Sequence, residues 1–219
     1  MAGRHELEAM LGARGWGTTL PAYGDNAAAP RGRPRSEEAL RRLWAEGPPP
    51  GAITELVPAM PQATGLTGGA MRLAALCTRH RGRVAWLDAR DQWDPDSAQR
   101  AGVALEQVLW LRGNPALGGL AGLSRWHQIL GAVVQSGSLE LVVVDFLAWP
   151  LAELRRTPRS AWFRLLCGLE RLRQTALLLL APEPLTQSCA ALVVGMGAPA
   201  PGTRIEPRLL RQKTTELRA

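Results

Sequence analysis

From Gly51 onward the chain alternates short, continuously apolar runs with stretches of helical periodicity, and that alternation leaves few folds open to it. The β-rich runs are "AITELV" (52 to 57), "VAWLD" (84 to 88), "VLWLR" (108 to 112), "LELVVVD" (139 to 145), "TALLLL" (175 to 180), "CAALVVGM" (189 to 196) and "TRIEPRLL" (203 to 210). Val142 to Val144 carry no polar alternation, the pattern of a strand covered on both faces, and helices between successive strands imply parallel crossovers. Helices are predicted over residues 69 to 80, 120 to 135 and 160 to 173. In the second, Leu123, Trp126, Ile129 or Leu130, and Val133 recur at three to four residues, as an amphipathic helix requires. The last two runs have no helix between them and are expected to pair as an antiparallel hairpin. The predicted architecture is a three-layer α/β domain with a mostly parallel central sheet and a C-terminal antiparallel edge hairpin.

A length of 219 residues suits one such domain with tails. Residues 1 to 35, with "LPAYGDNAAAPRGRPR", read as an N-terminal arm and linker, and Ser36 as the cap of a helix "SEEALRRLW". Residues 36 to 213 form the domain and 214 to 219 a C-terminal tail. The longest apolar run, "ALLLLA", is far below the ~20 residues of a membrane span, so no membrane association is expected. Neither signal-peptide block nor C-x-x-C pair occurs, and Cys77, Cys167 and Cys189 fall in apolar segments. A cytoplasmic protein without zinc or other metal is the expectation. The net charge of +7 rests almost wholly on arginine, Lys213 being the sole lysine, and favours an acidic protein or nucleic acid as partner.

"MPQATGLTGG", residues 60 to 69, lies where a strand feeds a helix and nearly fits G-x-x-x-x-G-K-[ST]. Gly65 and Thr67 are present, but Met60 replaces the first glycine and Leu66 the lysine, and leucine cannot compensate phosphate charge. "LELVVVD" ends in Asp145, the form of a strand that holds magnesium through water. Trp86 and Trp93 are expected to flank any nucleotide pocket. Trp149 is expected to be exposed, and His127 to be a solvated helix residue offset from the apolar stripe.

"WLDARDQWDPDSAQRAGV", residues 86 to 103, resembles the segment after the phosphate-loop helix of the RecA recombinase core, sharing Asp88, Ala89, Asp94, Pro95, Ala98, Gly102 and Val103. "GAITELV", "LELVVVD" and "TALLLLAP" resemble three strands of the same core, so the likeness runs from about Gly51 to Lys213. The departures fall on nucleotide chemistry. The resemblance puts Arg90 where a glutamate would polarise the attacking water, Ser97 where a tyrosine would stack on adenine, and Pro182 where a glutamine would sense the γ-phosphate. With Met60 and Leu66, these imply a degenerate site, no cofactor and no catalysis.

The two DNA-binding loops that the resemblance implies are shortened to "ELRRTPRS" (153 to 160) and "PEPLTQS" (182 to 188), leaving Arg155, Arg156 and Arg159 as candidates for weak DNA contact. A small RecA-like chain without a competent phosphate loop resembles the ImuA family. That resemblance implies a non-catalytic accessory role in damage-induced mutagenesis and translesion synthesis, with RecA, ImuB and an error-prone C-family polymerase as partners. Candidate contacts are Leu7, Met10, Leu11 and Trp16 in the arm, and Leu209, Leu210, Arg211, Lys213 and Leu217 at the carboxyl end. The alternatives are a divergent ATPase or DNA-binding module in repair, and a cell-division inhibitor resembling SulA.

Overall fold

The computed structural model describes residues 34–60, 65–114, 119–197 and 206–213. Strands β1 (Ile53–Pro58), β2 (Val84–Asp88), β3 (Val108–Arg112), β4 (Leu141–Asp145), β5 (Ala176–Leu180), β6 (Ala190–Gly197) and β7 (Glu206–Gln212) form one sheet in the order β3-β2-β4-β5-β1-β6-β7. Every pairing is parallel except that of β6 with the edge strand β7. β2, β4 and β5 are buried at every residue, whereas β3, at the opposite edge, is partly exposed.

The strand pleat divides the core into two layers. Val142, Val144, Leu177 and Leu179 face α4 (Gly119–Gln135) and α6 (Arg159–Leu172), packing with Leu130, Trp162 and Leu169. Leu141, Val143, Leu178 and Leu180 share the other layer with Leu43 of α1 (Pro34–Glu46) and Leu73 of α2 (Leu66–Arg79). Short helices α3 (Pro95–Arg100) and α5 (Leu151–Leu154), which periodicity did not predict, complete the fold. Both are a single turn or little more, too short for a period to register.

Several boundaries differ from expectation. α1 starts at Pro34, so Ser36 lies within its first turn; proline is pre-organised for a helix start. α2 starts at Leu66, three residues early, because its first turn contains Gly68 and Gly69, which disguise a helix in sequence. Gly69 is tightly packed: a Cβ there would stand 3.0 Å from the Met196 side chain and 3.3 Å from Trp44. β4 starts at Leu141 rather than Leu139. Glu140, just before it, instead accepts a hydrogen bond from the Arg83 amide through its carboxylate.

One connection is unusually short. β5 and β6 flank β1 and run parallel to it, so residues 181 to 189 must return across β1 from the carboxyl end of the sheet to its amino end. A parallel crossover ordinarily takes a dozen or more residues and a helix. Here a single turn of 3-10 helix (Gln187–Cys189) suffices, with Leu185 and Cys189 packed into the α4 and α6 layer.

Candidate functional site

The register β2 to β4 sets Asp88 beside Asp145 at the carboxyl ends of adjacent central strands. Asp88 is buried and fully engaged: Oδ1 accepts from the Gln92 amide at 2.8 Å, and Oδ2 from the Trp93 amide at 2.8 Å and Trp110 Nε1 at 3.3 Å. Asp145 accepts only the Leu147 amide, at 2.9 Å. Burial pushes its carboxyl up to about 6, the Leu147 bond opposes this, and the Asp88 charge adds to the rise.

Trp93 stacks on Trp86 with ring centroids 5.2 Å apart and meets Trp110 edge-on at 5.1 Å. Both Trp86 and Trp93 are buried, and neither lines the cavity beside α2. They pack against the α2 layer because the "DARDQW" turn folds back onto the Asp88 carboxylate and carries Trp93 inward.

Gly65 precedes α2 in the left-handed conformation, φ +91°, which favours glycine. Gly65→Ala is expected to destabilise the chain by roughly 1 kcal/mol, read from the urea midpoint. Leu66, the first helical residue, is buried in the α2 layer, Thr67 is half-buried, and Met60 is exposed. Residues 61 to 64 lie outside the described residues. The cavity here, about 530 Å³, is lined by Gly65, Gly68, Arg72 and Trp44, with the Arg72 guanidinium 5.8 Å over the Trp44 ring.

Arg90 lies 5.5 Å over the ring of Trp149. Trp149 is buried, not exposed: it packs on Phe146 with centroids 6.0 Å apart and donates its Nε1 proton to Glu153 at 2.8 Å, so its one polar atom is satisfied without solvent. His127 is likewise half-buried rather than solvated, wedged between Phe146 and Trp162 at 6.1 and 5.0 Å. Ser97 sits in the first turn of α3 and donates to Asp94, the cap of that helix, far from a role in base stacking.

The segment expected as the second DNA-binding loop is the β5 to β6 crossover, which begins at Pro182. Glu55, in the middle of β1 and fully buried, holds it: the carboxylate accepts from the Leu185 amide at 3.1 Å, the Thr186 amide at 2.7 Å and the Thr186 hydroxyl. Burial raises the Glu55 pKa; the Thr186 bonds and the Arg211 charge oppose that rise. The lone acid inside "AITELV" was the signal of this role. Arg155, a candidate DNA contact, forms a two-pronged ion pair with Glu183 of the same crossover at 2.7 and 2.6 Å. Arg156 and Arg159 are exposed.

At the carboxyl edge, Leu209 packs onto the α2 layer, Leu210 is exposed and Arg211 is half-buried, its pKa lowered by burial. The Lys213 amide donates to Ala191 at 2.9 Å. Leu7, Met10, Leu11, Trp16 and Leu217 lie outside the described residues. Among the described residues no helix is long and apolar enough to cross a membrane.

No family model matches the chain. Protein RecA from Lactobacillus delbrueckii subsp. bulgaricus is 31% identical over 106 residues, covering 48% of this chain and 29% of the relative. RecA from Enterococcus hirae is 32% identical over 106 residues, with 48% and 28% covered. The match thus spans less than a third of the length of these curated relatives. The crystal structure of the RadB recombinase superposes with a TM-score of 0.57 at 19% identity, covering 81% of this chain and 89% of that one. The fold is RecA-like. The antiparallel β6–β7 pair and the mostly parallel seven-strand sheet belong to this RecA-like core. Within it, Gly65 to Thr67 open the helix that follows β1 and Asp145 ends β4, with β5 between the two strands.

Proposed function

We propose that this chain is a non-hydrolysing RecA-like protein that works through protein contacts in DNA-damage-induced mutagenesis, in the manner of the ImuA family. The observation that carries the reading is Leu66. At the helix start where a phosphate-loop lysine would extend toward the β and γ phosphates, its side chain turns into the core and is 5% exposed. Arg90, over Trp149, places a cation rather than a base beside the strand ends. The residues at this site therefore fit ATP and magnesium poorly, and no hydrolytic step is derived from them.

With nucleotide chemistry set aside, the RecA-like surface remains for protein partners. RecA itself and ImuB are the partners proposed for direct contact, with an error-prone C-family polymerase in the same assembly. DNA contact is proposed as weak, because the crossover is pinned by Glu55 and Arg155 is engaged by Glu183.

The test is calorimetric titration with ATP and magnesium, together with co-sedimentation on RecA filaments and capture by purified ImuB. No saturable heat up to millimolar ATP, with retention by RecA or ImuB, is expected. Saturable ATP binding lost in Thr67→Ala would restore the ATPase reading, and failure to bind either protein would remove the accessory one.

A further inference from the structure

Helices α4 and α6 enclose an open groove of about 570 Å³. Its depth comes from small residues: Gly131 of α4 and Gly168 of α6 line it, and a Cβ built on Gly131 would meet no atom within 4 Å. Leu123, Val134 and Leu165 supply an apolar floor. Arg156 and Arg164 also line the groove, and among the described residues no carboxylate does.

Two polar atoms in the lining are unsatisfied. His127 Nδ1 donates to the Leu123 carbonyl at 2.9 Å, so in the neutral ring Nε2 bears the lone pair; that atom is buried and has no hydrogen-bond partner among the described residues. Burial, and to a lesser degree the Arg164 charge, holds the ring below its ordinary pKa and therefore neutral. Thr157 Oγ1 is buried and unsatisfied in the same way. Native structures rarely leave such atoms without a partner.

We propose that this groove docks a short acidic and apolar peptide segment of a partner protein. An apolar side chain occupies the space over Gly131, and carboxylates pair with Arg156 and Arg164. Charge complementarity selects an acidic occupant. Base stacking needs an aromatic face, and the nearby rings of Phe146 and Trp162 are buried, so the groove favours peptide over single-stranded nucleic acid. The groove serves this role whether or not the chain acts beside RecA, and neither Leu66 nor Asp145 is among its lining residues.

The test is fluorescence anisotropy with the full chain and three labelled probes: a short peptide of one phenylalanine among aspartates and glutamates, the same peptide with lysines in place of the acids, and oligo-dT. The acidic peptide should bind in preference to the other two. Gly131→Leu, which fills the groove and suits a helix, and Arg164→Glu should each weaken it by about tenfold or more at unchanged Tm. Equal binding of the lysine peptide, no binding of the acidic one, or indifference to Gly131→Leu would overturn the proposal. Preferential binding of oligo-dT, weakened by the same substitutions, would overturn it in favour of nucleic acid.

Discussion

Glu55→Ala is expected to lower the stability of the chain by about 3 kcal/mol, the range for removing a buried charged acceptor and leaving its donors without partners. Two backbone amides and a hydroxyl converge on this carboxylate, and all three belong to the crossover that must reach β6 without a helix. Truncation leaves Leu185 N, Thr186 N and Thr186 Oγ1 buried with nothing to accept their protons. Glu55→Gln removes a charge that burial disfavours and keeps one carbonyl acceptor for the Thr186 donors, but turns the other oxygen into an NH2 facing the Leu185 amide, so it should cost less than Glu55→Ala, about 1–2 kcal/mol. Urea denaturation of the two variants against the parent measures the difference. If Ala and Gln behave alike, the hydrogen bonds do not anchor the crossover.

Asp145→Asn should act in the opposite direction. The Asp145 pKa is raised from the ordinary 3.8 to about 6, so the group's contribution to stability is complete below pH 3.8 and declines as pH rises through about 6. Asparagine retains an acceptor for the Leu147 amide and carries no charge to desolvate. The variant is therefore expected to be more stable than the parent near pH 8 by roughly 2–3 kcal/mol, and the difference should vanish on acidification to below pH 3.8. Denaturation midpoints across that pH range give the measurement. Under the proposed function the variant also keeps its protein partners, whereas an ATP-dependent protein would lose function with the same change. Destabilisation near pH 8 would mean that the buried carboxylate is stabilised as an anion.

What the sequence disclosed followed from local pattern. The continuous apolar runs of β2, β4 and β5 were legible because strands covered on both faces need no polar alternation. The antiparallel β6–β7 edge was legible from the missing helix between them. The start of α2 was hidden, since "GLTGG" has poor helix propensity and only packing against Met196 and Trp44 explains Gly69. Trp149 and His127 were misjudged for one reason: their burial depends on partners brought in by other segments, Glu153 and Trp162 among them. Glu55 was visible as an acid in an apolar strand, but no local rule names the distant amides it meets. Of the candidate nucleotide site, the residue identities were readable; the burial of Leu66 and the desolvation of Asp145 were not.

The position of β1 in the sheet bears on how the chain reaches its native state. Its two neighbours, β5 and β6, are among the last strands made, and Glu55 meets Leu185 across 130 residues of sequence. During synthesis β2, β3 and β4 can pair among themselves while β1 waits with both hydrogen-bonding edges open. Such non-local pairing slows folding and leaves strand edges available for misassociation. A ribosome-bound chain that has not yet emitted β5 should thus hold β1 protease-sensitive while the β2–β4 unit is already protected, and closure of the sheet should coincide with arrival of the crossover.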